Sequence, residues 1–204
     1  MSKVQRGRSD PDEVRAKILE VAEEHFRRVG YQKTAVADIA EALGMSPANV
    51  YRFFSSKGAI NECICGRVLD EAIELAWSIV RGKGTAAERL ERLLVEMHRH
   101  NRETLLQEKR VHDMVAAAMS ENWQTVENYT GRLVTIVEGL IREGIEAGEF
   151  EVDDPQGAAS CVKGAYGMLL HPLMIEQCIE EDLDQRSRQM ARFIIRALRP
   201  LRND

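Results

Sequence analysis

The residues best suited to chemistry cluster between Ser46 and Lys57, and the chemistry they suit is contact with double-stranded DNA. Ser46 stands directly before Pro47. Its hydroxyl and the first amides of the helix that follows would face a phosphate oxygen drawn to the helix terminus. Pro47 and Ala48 are small and apolar, suited to a thymine methyl, while Asn49 can read adenine or close a local helix hydrogen bond. Tyr51 can donate its hydroxyl to a phosphate, Arg52 can reach a phosphate or a guanine edge, and Lys57 places a cation near the next phosphate.

Catalytic and metal-binding patterns are absent from the sequence. His98-Arg99-His100 and Cys63-Ile64-Cys65 place their like residues two apart, on different faces of a helix, so neither is an i, i+4 metal pair. The acidic doublets Asp153-Asp154 and Glu180-Glu181 fall at helix ends, where capping accounts for them. No glycine-rich phosphate loop or nucleophile elbow occurs. We therefore expect no catalytic residue, metal or cofactor. Cysteines 63, 65, 161 and 178 form no Cys-x-x-Cys pair and are expected to be free thiols; redox sensing through Cys63 or Cys65 is an alternative.

The elements that must position the candidate residues are helices. Aromatic residues make up 5% of the 204, and no alternating β-branched runs occur, so an all-α fold of about nine helices is expected. Ser9-Asp10-Pro11 opens a helix carrying Val14, Ile18, Val21, Ala22 and Phe26 on one stripe, and Gly30 stops it. Val36, Ile39, Ala40 and Leu43 form a two-turn helix ending at Gly44, and Ser46-Pro47 restarts at once with Val50 and Phe54 as inward positions. Two short helices about a glycine turn are a helix-turn-helix. A fourth helix runs from Lys57 to about Val80, and Thr85 to Glu88 reads as a capping box for a fifth. Further helices are expected over about 103–119, 121–147, 155–179 and 183–198, with a kink or break at His171-Pro172.

Charge follows the same division. Residues 1–66 hold 10 Lys/Arg against 9 Asp/Glu, leaving 18 against 24 of the chain's 28 and 33 for the remainder. The acidic excess behind the net charge of -5 therefore lies away from the DNA-facing candidates. Lys3, Arg6 and Arg8 form an N-terminal arm suited either to phosphate or minor-groove contact or to plain solvation. The longest apolar run, Met114 to Met119, is far shorter than the roughly 18 to 20 residues of a membrane span, and the charged first ten residues lack a signal-peptide core. A soluble, cytoplasmic protein without a membrane partner is expected.

The segment Gly30 to Lys57, with the helix before it, closely resembles the DNA-binding domain of the tetracycline-repressor (TetR) family of bacterial transcriptional regulators. The resemblance covers about residues 10–62. It implies an all-helical homodimer, a ligand pocket in the C-terminal part, and repression relieved by a small molecule. Two departures from the family pattern stand out. Ala35 sits where many relatives carry a second hydroxyl, leaving Thr34 and backbone amides as the phosphate clamp at the second helix. Phe53 replaces a residue that is often polar, so it touches a thymine methyl or packs on protein.

The expected organisation is a reading head over residues 1–56 and an effector-binding and dimerisation domain over 57–204. Small residues Gly157, Cys161 and Gly164 with Met168 share one helical stripe, and Met190, Phe193, Ile194 and Ala197 another; paired across a two-fold they would make a four-helix dimer interface. Met97, Met114, Trp123, Tyr129, Tyr166, Met168 and His171 are candidates to line an apolar effector cavity. The alternative is a DNA-binding protein without a small-molecule effector, architectural or controlled by a protein partner.

Overall fold

Asp10 starts the first helix. Its carboxylate accepts the Asp12 amide at 3.1 Å, and Pro11 occupies the first turn, where a missing N–H costs nothing. The computed structural model describes residues 10–107, 113–118, 123–178 and 181–200. Its helices are α1 (Pro11–Val29), α2 (Val36–Ala42), α3 (Pro47–Tyr51), α4 (Lys57–Val80), α5 (Ala86–Gln107), α6 (Trp123–Glu146), α7 (Pro155–Leu170), α8 (Pro172–Gln177) and α9 (Leu183–Leu198). Residues 113–118 are also helical, and no strand occurs among the described residues.

Helices α1 to α3 close around Ile18, Ala22 and Phe26 of the first, Ile39 and Ala40 of the second and Val50 of the third, all with no exposed surface. Burying each of the larger of these side chains contributes about 1.5–3 kcal/mol. Phe26 meets the ring of Tyr31 edge-on, centroids 5.2 Å apart. Between α2 and α3 the chain turns at Gly44, whose φ of 64° is left-handed. A Cβ there would meet nothing within 4 Å, so backbone handedness and not space explains the glycine.

Helix α4 continues the same core, with Ile60 and Ile64 at its head end and Ala72, Ile73 and Ala76 further along. It packs on α1, α5 and α6; α6 packs in turn on α7, and α9 lies on α5 and α7. The capping box of α5 forms as its residues suggest: Thr85 Oγ accepts the Glu88 amide at 3.2 Å, and Glu88 accepts the Thr85 amide at 3.0 Å. Past α6 the chain folds Phe150 back onto Gly144, where a Cβ would lie 2.2 Å from the ring.

Two boundaries differ from the sequence expectation. A helix starting near 103 does not form, because α5 runs unbroken to Gln107; nothing between His98 and Glu103 is a glycine or proline able to stop it. The expected single helix over 155–179 is split at its own proline: α7 ends at Leu170, His171 is extended at φ -81° and ψ 124°, and Pro172 opens α8. The arm residues Lys3, Arg6 and Arg8 lie outside the described residues. Among the described residues no helix is long and apolar enough to cross a membrane.

Candidate nucleic-acid interface and internal cavity

Helix α3 is only five residues long, and its ends decide what it can present. Ser46 caps it, Oγ accepting the Asn49 amide at 3.3 Å. Ser46, Pro47, Ala48, Tyr51 and Arg52 are all exposed, on a helix whose inward anchor is the fully buried Val50. Tyr51 is 51% exposed, unusual for a large aromatic side chain, and the Arg52 guanidinium makes no hydrogen bond or ion pair among the described residues. A free cation and an aromatic hydroxyl beside a capped helix start can hold phosphates and reach a base edge. Asn49 is half-buried and turns its side-chain amide toward Met45 Sδ at 4.0 Å.

Two of the expected DNA contacts, Thr34 and Lys57, turn toward protein partners. Thr34 is buried, and its hydroxyl donates to the Gly30 carbonyl at 2.9 Å, closing the turn after α1 instead of facing a phosphate. Lys57 turns inward: Nζ donates to the carbonyls of Tyr31 at 2.8 Å and Thr34 at 3.1 Å and sits 4.4 Å from the Tyr31 ring centroid. It staples the α1–α2 loop to the start of α4. Phe53 is half-buried and packs against the core.

One residue that holds this N-terminal unit together carries no short-range sequence signal. Arg15 of α1 donates to the Phe53 carbonyl at 2.9 Å and to Cys63 Sγ at 3.4 Å, with its guanidinium carbon 4.1 Å from the Phe54 ring centroid. It ties the chain just past α3 to both α1 and α4. Asp38 accepts the Ala35 amide at 2.7 Å, the half of a capping box that the third helical residue supplies, while Ala35 itself offers no side-chain acceptor to the first turn. Cys65 is buried and its thiol is pushed up to about 12, by desolvation first and then by Glu23, which leaves it protonated and unreactive.

A cavity of about 370 Å³ lies between α4, α5, α6 and α7. Of the expected lining residues, Met97, Tyr129, Tyr166 and His171 are on its wall. Met114 is buried but off the wall, and its carbonyl accepts from Asn61 Nδ2 at 3.0 Å. Met168 is 50% exposed on the outer face of α7, and the Trp123 side chain lies outside the described residues. Tyr166 donates to the Ser187 carbonyl at 3.3 Å and shares a hydrogen bond with Ser187 Oγ; burial raises its phenol to about 12, which the Ser187 bond opposes. The Tyr129 hydroxyl and His171 Nδ1 are buried with no hydrogen-bond partner among the described residues.

Two polar links lead from this region to the reading head. The buried Asn61 ties α4 to residues 113–118, in which Val115 lines the cavity next to Met114. Thr125 donates to Glu62 at 3.1 Å, tying α4 to α6. On α7, Cys161, Gly164 and Met168 are exposed and Gly157 is half-buried. On α9, Phe193 is 68% exposed, Ala197 is exposed and Met190 is half-buried, whereas Ile194 is 5% exposed and belongs to the core of its own protomer. Large apolar side chains left in water on two neighbouring helices mark an interaction face.

Residues 18–62 match the family model described as bacterial regulatory proteins, tetR family, and residues 86–191 match the tetracyclin repressor-like C-terminal domain. Among known proteins, the uncharacterized HTH-type transcriptional regulator YfiR of Bacillus subtilis (strain 168) is 29% identical over 146 residues, 71% of each chain. A TetR/AcrR-family transcriptional regulator of Thermobifida fusca has a similar structure, with TM-score 0.65 and 26% identity over 92% of this chain and all of that one. The Bacillus subtilis transcriptional regulator FadR, solved in complex with stearoyl-CoA, shares the fold at TM-score 0.64 and 20% identity over 88% of this chain and 97% of that one. With both halves matched in order along one chain, and the second match alone covering more than half of it, the chain belongs to the TetR family of DNA-binding transcriptional regulators.

Proposed function

We propose that this chain is a homodimeric repressor that leaves a palindromic operator when a small, largely apolar molecule fills the cavity. The observation that carries the reading is the cavity of about 370 Å³, walled partly by α4, the helix whose start is stapled to the reading head by Lys57. Residues 1–56 form the head and 57–204 the effector and dimer domain, with Ser46, Pro47, Ala48, Asn49, Tyr51 and Arg52 meeting DNA. Two heads related by a two-fold meet half-sites about 34–36 Å apart. The exposed faces of α7 and α9 form the dimer contact, with Met168 and Phe193 as its apolar centre.

A ligand shifts this equilibrium only through a difference in affinity between the DNA-competent and DNA-incompetent arrangements. Val115 gives a bound molecule direct access to residues 113–118, and the Asn61–Met114 bond passes any displacement to α4. Tilting α4 changes the spacing of the heads while each keeps its own core.

The test is fluorescence anisotropy of the dimer on its own upstream intergenic DNA at two salt concentrations, against a Tyr51→Ala, Arg52→Ala double variant and an Ala159→Leu variant that narrows the cavity. Wild type binds tightly and with strong salt dependence, the double variant loses the site, and Ala159→Leu binds DNA but resists release by ligands that free wild type. Operator affinity unchanged in the double variant would overturn the assignment of the reading face.

A further inference from the structure

The cavity wall combines apolar side chains, Val115, Leu133, Val134, Val137 and Val162 among them, with two buried polar atoms that make no hydrogen bond. Native interiors rarely leave such atoms unpaired. Among the described residues only three buried side-chain nitrogens or oxygens lack a hydrogen-bond partner: Tyr129 OH, His171 Nδ1 and His98 Nε2. His98 is not on the cavity wall, its Nδ1 bonds the Leu169 carbonyl at 2.8 Å, and its Nε2 faces Asp184 at 3.7 Å. The other two both line the cavity.

Two further polar side chains of the wall are already committed, while His100 and Thr104 sit half-buried on it. Tyr166 is bonded to Ser187, and the Asn101 amide donates to the Leu170 carbonyl at 3.1 Å. The charged wall residues Glu127 and Lys163 are exposed and of opposite sign, and the half-buried His100 is the other titratable group on the wall besides Tyr129, Tyr166 and His171, so no fully buried charge stands ready to receive an ionic ligand. We infer that the effector is an apolar molecule carrying one uncharged oxygen group, a hydroxyl or carbonyl, held by Tyr129 and His171. This rests on the cavity being the effector site.

The chemistry of the pair fits such a group. Burial lifts the Tyr129 phenol to about 12; the Asn101 side chain lies near enough to oppose this in part but does not meet the hydroxyl in hydrogen-bond geometry, so the phenol stays a hydroxyl able to donate. His171 Nδ1 donates or accepts according to tautomer, so a ligand hydroxyl can satisfy both atoms and a carbonyl can accept from both. His171 is held at the α7–α8 break, with its backbone amide bonded to the Gly167 carbonyl at 2.9 Å. The space is more than twice the roughly 150 Å³ that accommodates benzene, room for two fused rings or a chain of similar bulk.

The experiment uses the intact dimer and three probes of one shape: 2-naphthol, 2-methylnaphthalene, in which a methyl replaces the hydroxyl, and 2-naphthoate. Calorimetric titration is run on wild type, Tyr129→Phe and His171→Leu, with anisotropy on operator DNA in parallel. We expect wild type to hold 2-naphthol about tenfold tighter than 2-methylnaphthalene, although the methyl compound is the more hydrophobic. Tyr129→Phe abolishes that preference while melting, without ligand, at or above the wild-type temperature, because it removes a hydroxyl that had no partner. Equal or tighter binding of the methyl compound, tightest binding of the naphthoate, undiminished preference in both variants, or no binding of any probe overturns the inference. Binding that discriminates the hydroxyl but leaves DNA affinity unchanged would instead sink the effector reading alone, and release by naphthol and methylnaphthalene equally would sink the head-group assignment alone.

Discussion

Lys57→Met separates two roles for one cation. The ammonium makes short bonds to the Tyr31 and Thr34 carbonyls, at 2.8 and 3.1 Å, a longer one to Gln32 at 3.4 Å, and lies 4.4 Å from the Tyr31 ring centroid. Methionine keeps the apolar stem and removes every donor. Hydrogen bonds to a charged group are worth about 1.5–3 kcal/mol when well buried; Lys57 is half-buried, and water can reach the freed carbonyls, so the net loss is about 2 kcal/mol. For a chain of 204 residues that lowers the melting temperature by about 4–8 °C. The assay pairs a thermal melt with operator binding across a salt series. A loop staple predicts the lower melting point and an unchanged slope of log affinity against log salt. A lysine bound to phosphate predicts an unchanged melting point and a slope reduced by about 0.9 for each phosphate no longer neutralised, and that outcome would refute the placement of Lys57.

Three further outcomes follow from the same structure. Phe193→Asp puts a charge at a site 68% exposed in the protomer, so it should leave the protomer folded while size-exclusion chromatography with light scattering shows the dimer dissociating. Asn61→Ala removes the amide that α4 donates to the Met114 carbonyl and leaves from that helix the weak Cys65 thiol at 3.6 Å; it should cost about 1–3 kcal/mol in chemical denaturation while weakening the effect of any releasing ligand on DNA affinity. Glu149 accepts the Ala86 and Ala87 amides at 3.1 and 2.9 Å; desolvation pushes its pKa up, but those amides, Thr85 and Arg89 outweigh it and hold the carboxyl below the ordinary glutamate value. A depressed carboxyl stabilises the fold above the unfolded value of about 4.3 and loses that contribution as pH falls through the folded value. The stability gap between wild type and Glu149→Gln, followed by urea denaturation, should therefore close as the pH drops below about 4.

Much of the fold was legible because its decisions are local. Ser46-Pro47, the Thr85 to Glu88 box, Gly44 and His171-Pro172 each commit the backbone through atoms within a few residues, and each does so in the structure. The α5 boundary was missed for the complementary reason: no residue there forbids a helix, and only packing decides where it stops. Side-chain roles set by distant partners were not legible. Lys57 is 26 residues from the Tyr31 carbonyl that takes its charge, Arg15 is 38 from the Phe53 carbonyl, and Asn61 is 53 from Met114. A lysine one turn after a recognition helix looks like a phosphate ligand until the loop that folds beneath it is known.

Helical spacing has the same limit, since it says which residues share a face but not what that face meets. Met97 and Met168 have one chemistry and comparable surroundings in sequence, yet α5 turns the first into the cavity and α7 turns the second toward solvent. Phe193 and Ile194 are neighbours on α9, and the roughly 100° between successive helical residues leaves one 68% exposed and buries the other. The distinction matters most at Tyr129 and His171. A tyrosine hydroxyl or an imidazole nitrogen normally finds a partner when buried, so residue type argues that both are satisfied. Only the arrangement of α6, α7 and the break before Pro172 leaves them facing the same apolar space without one. What a cavity selects for is therefore written in which bonds its wall fails to make, and that depends on every helix around it.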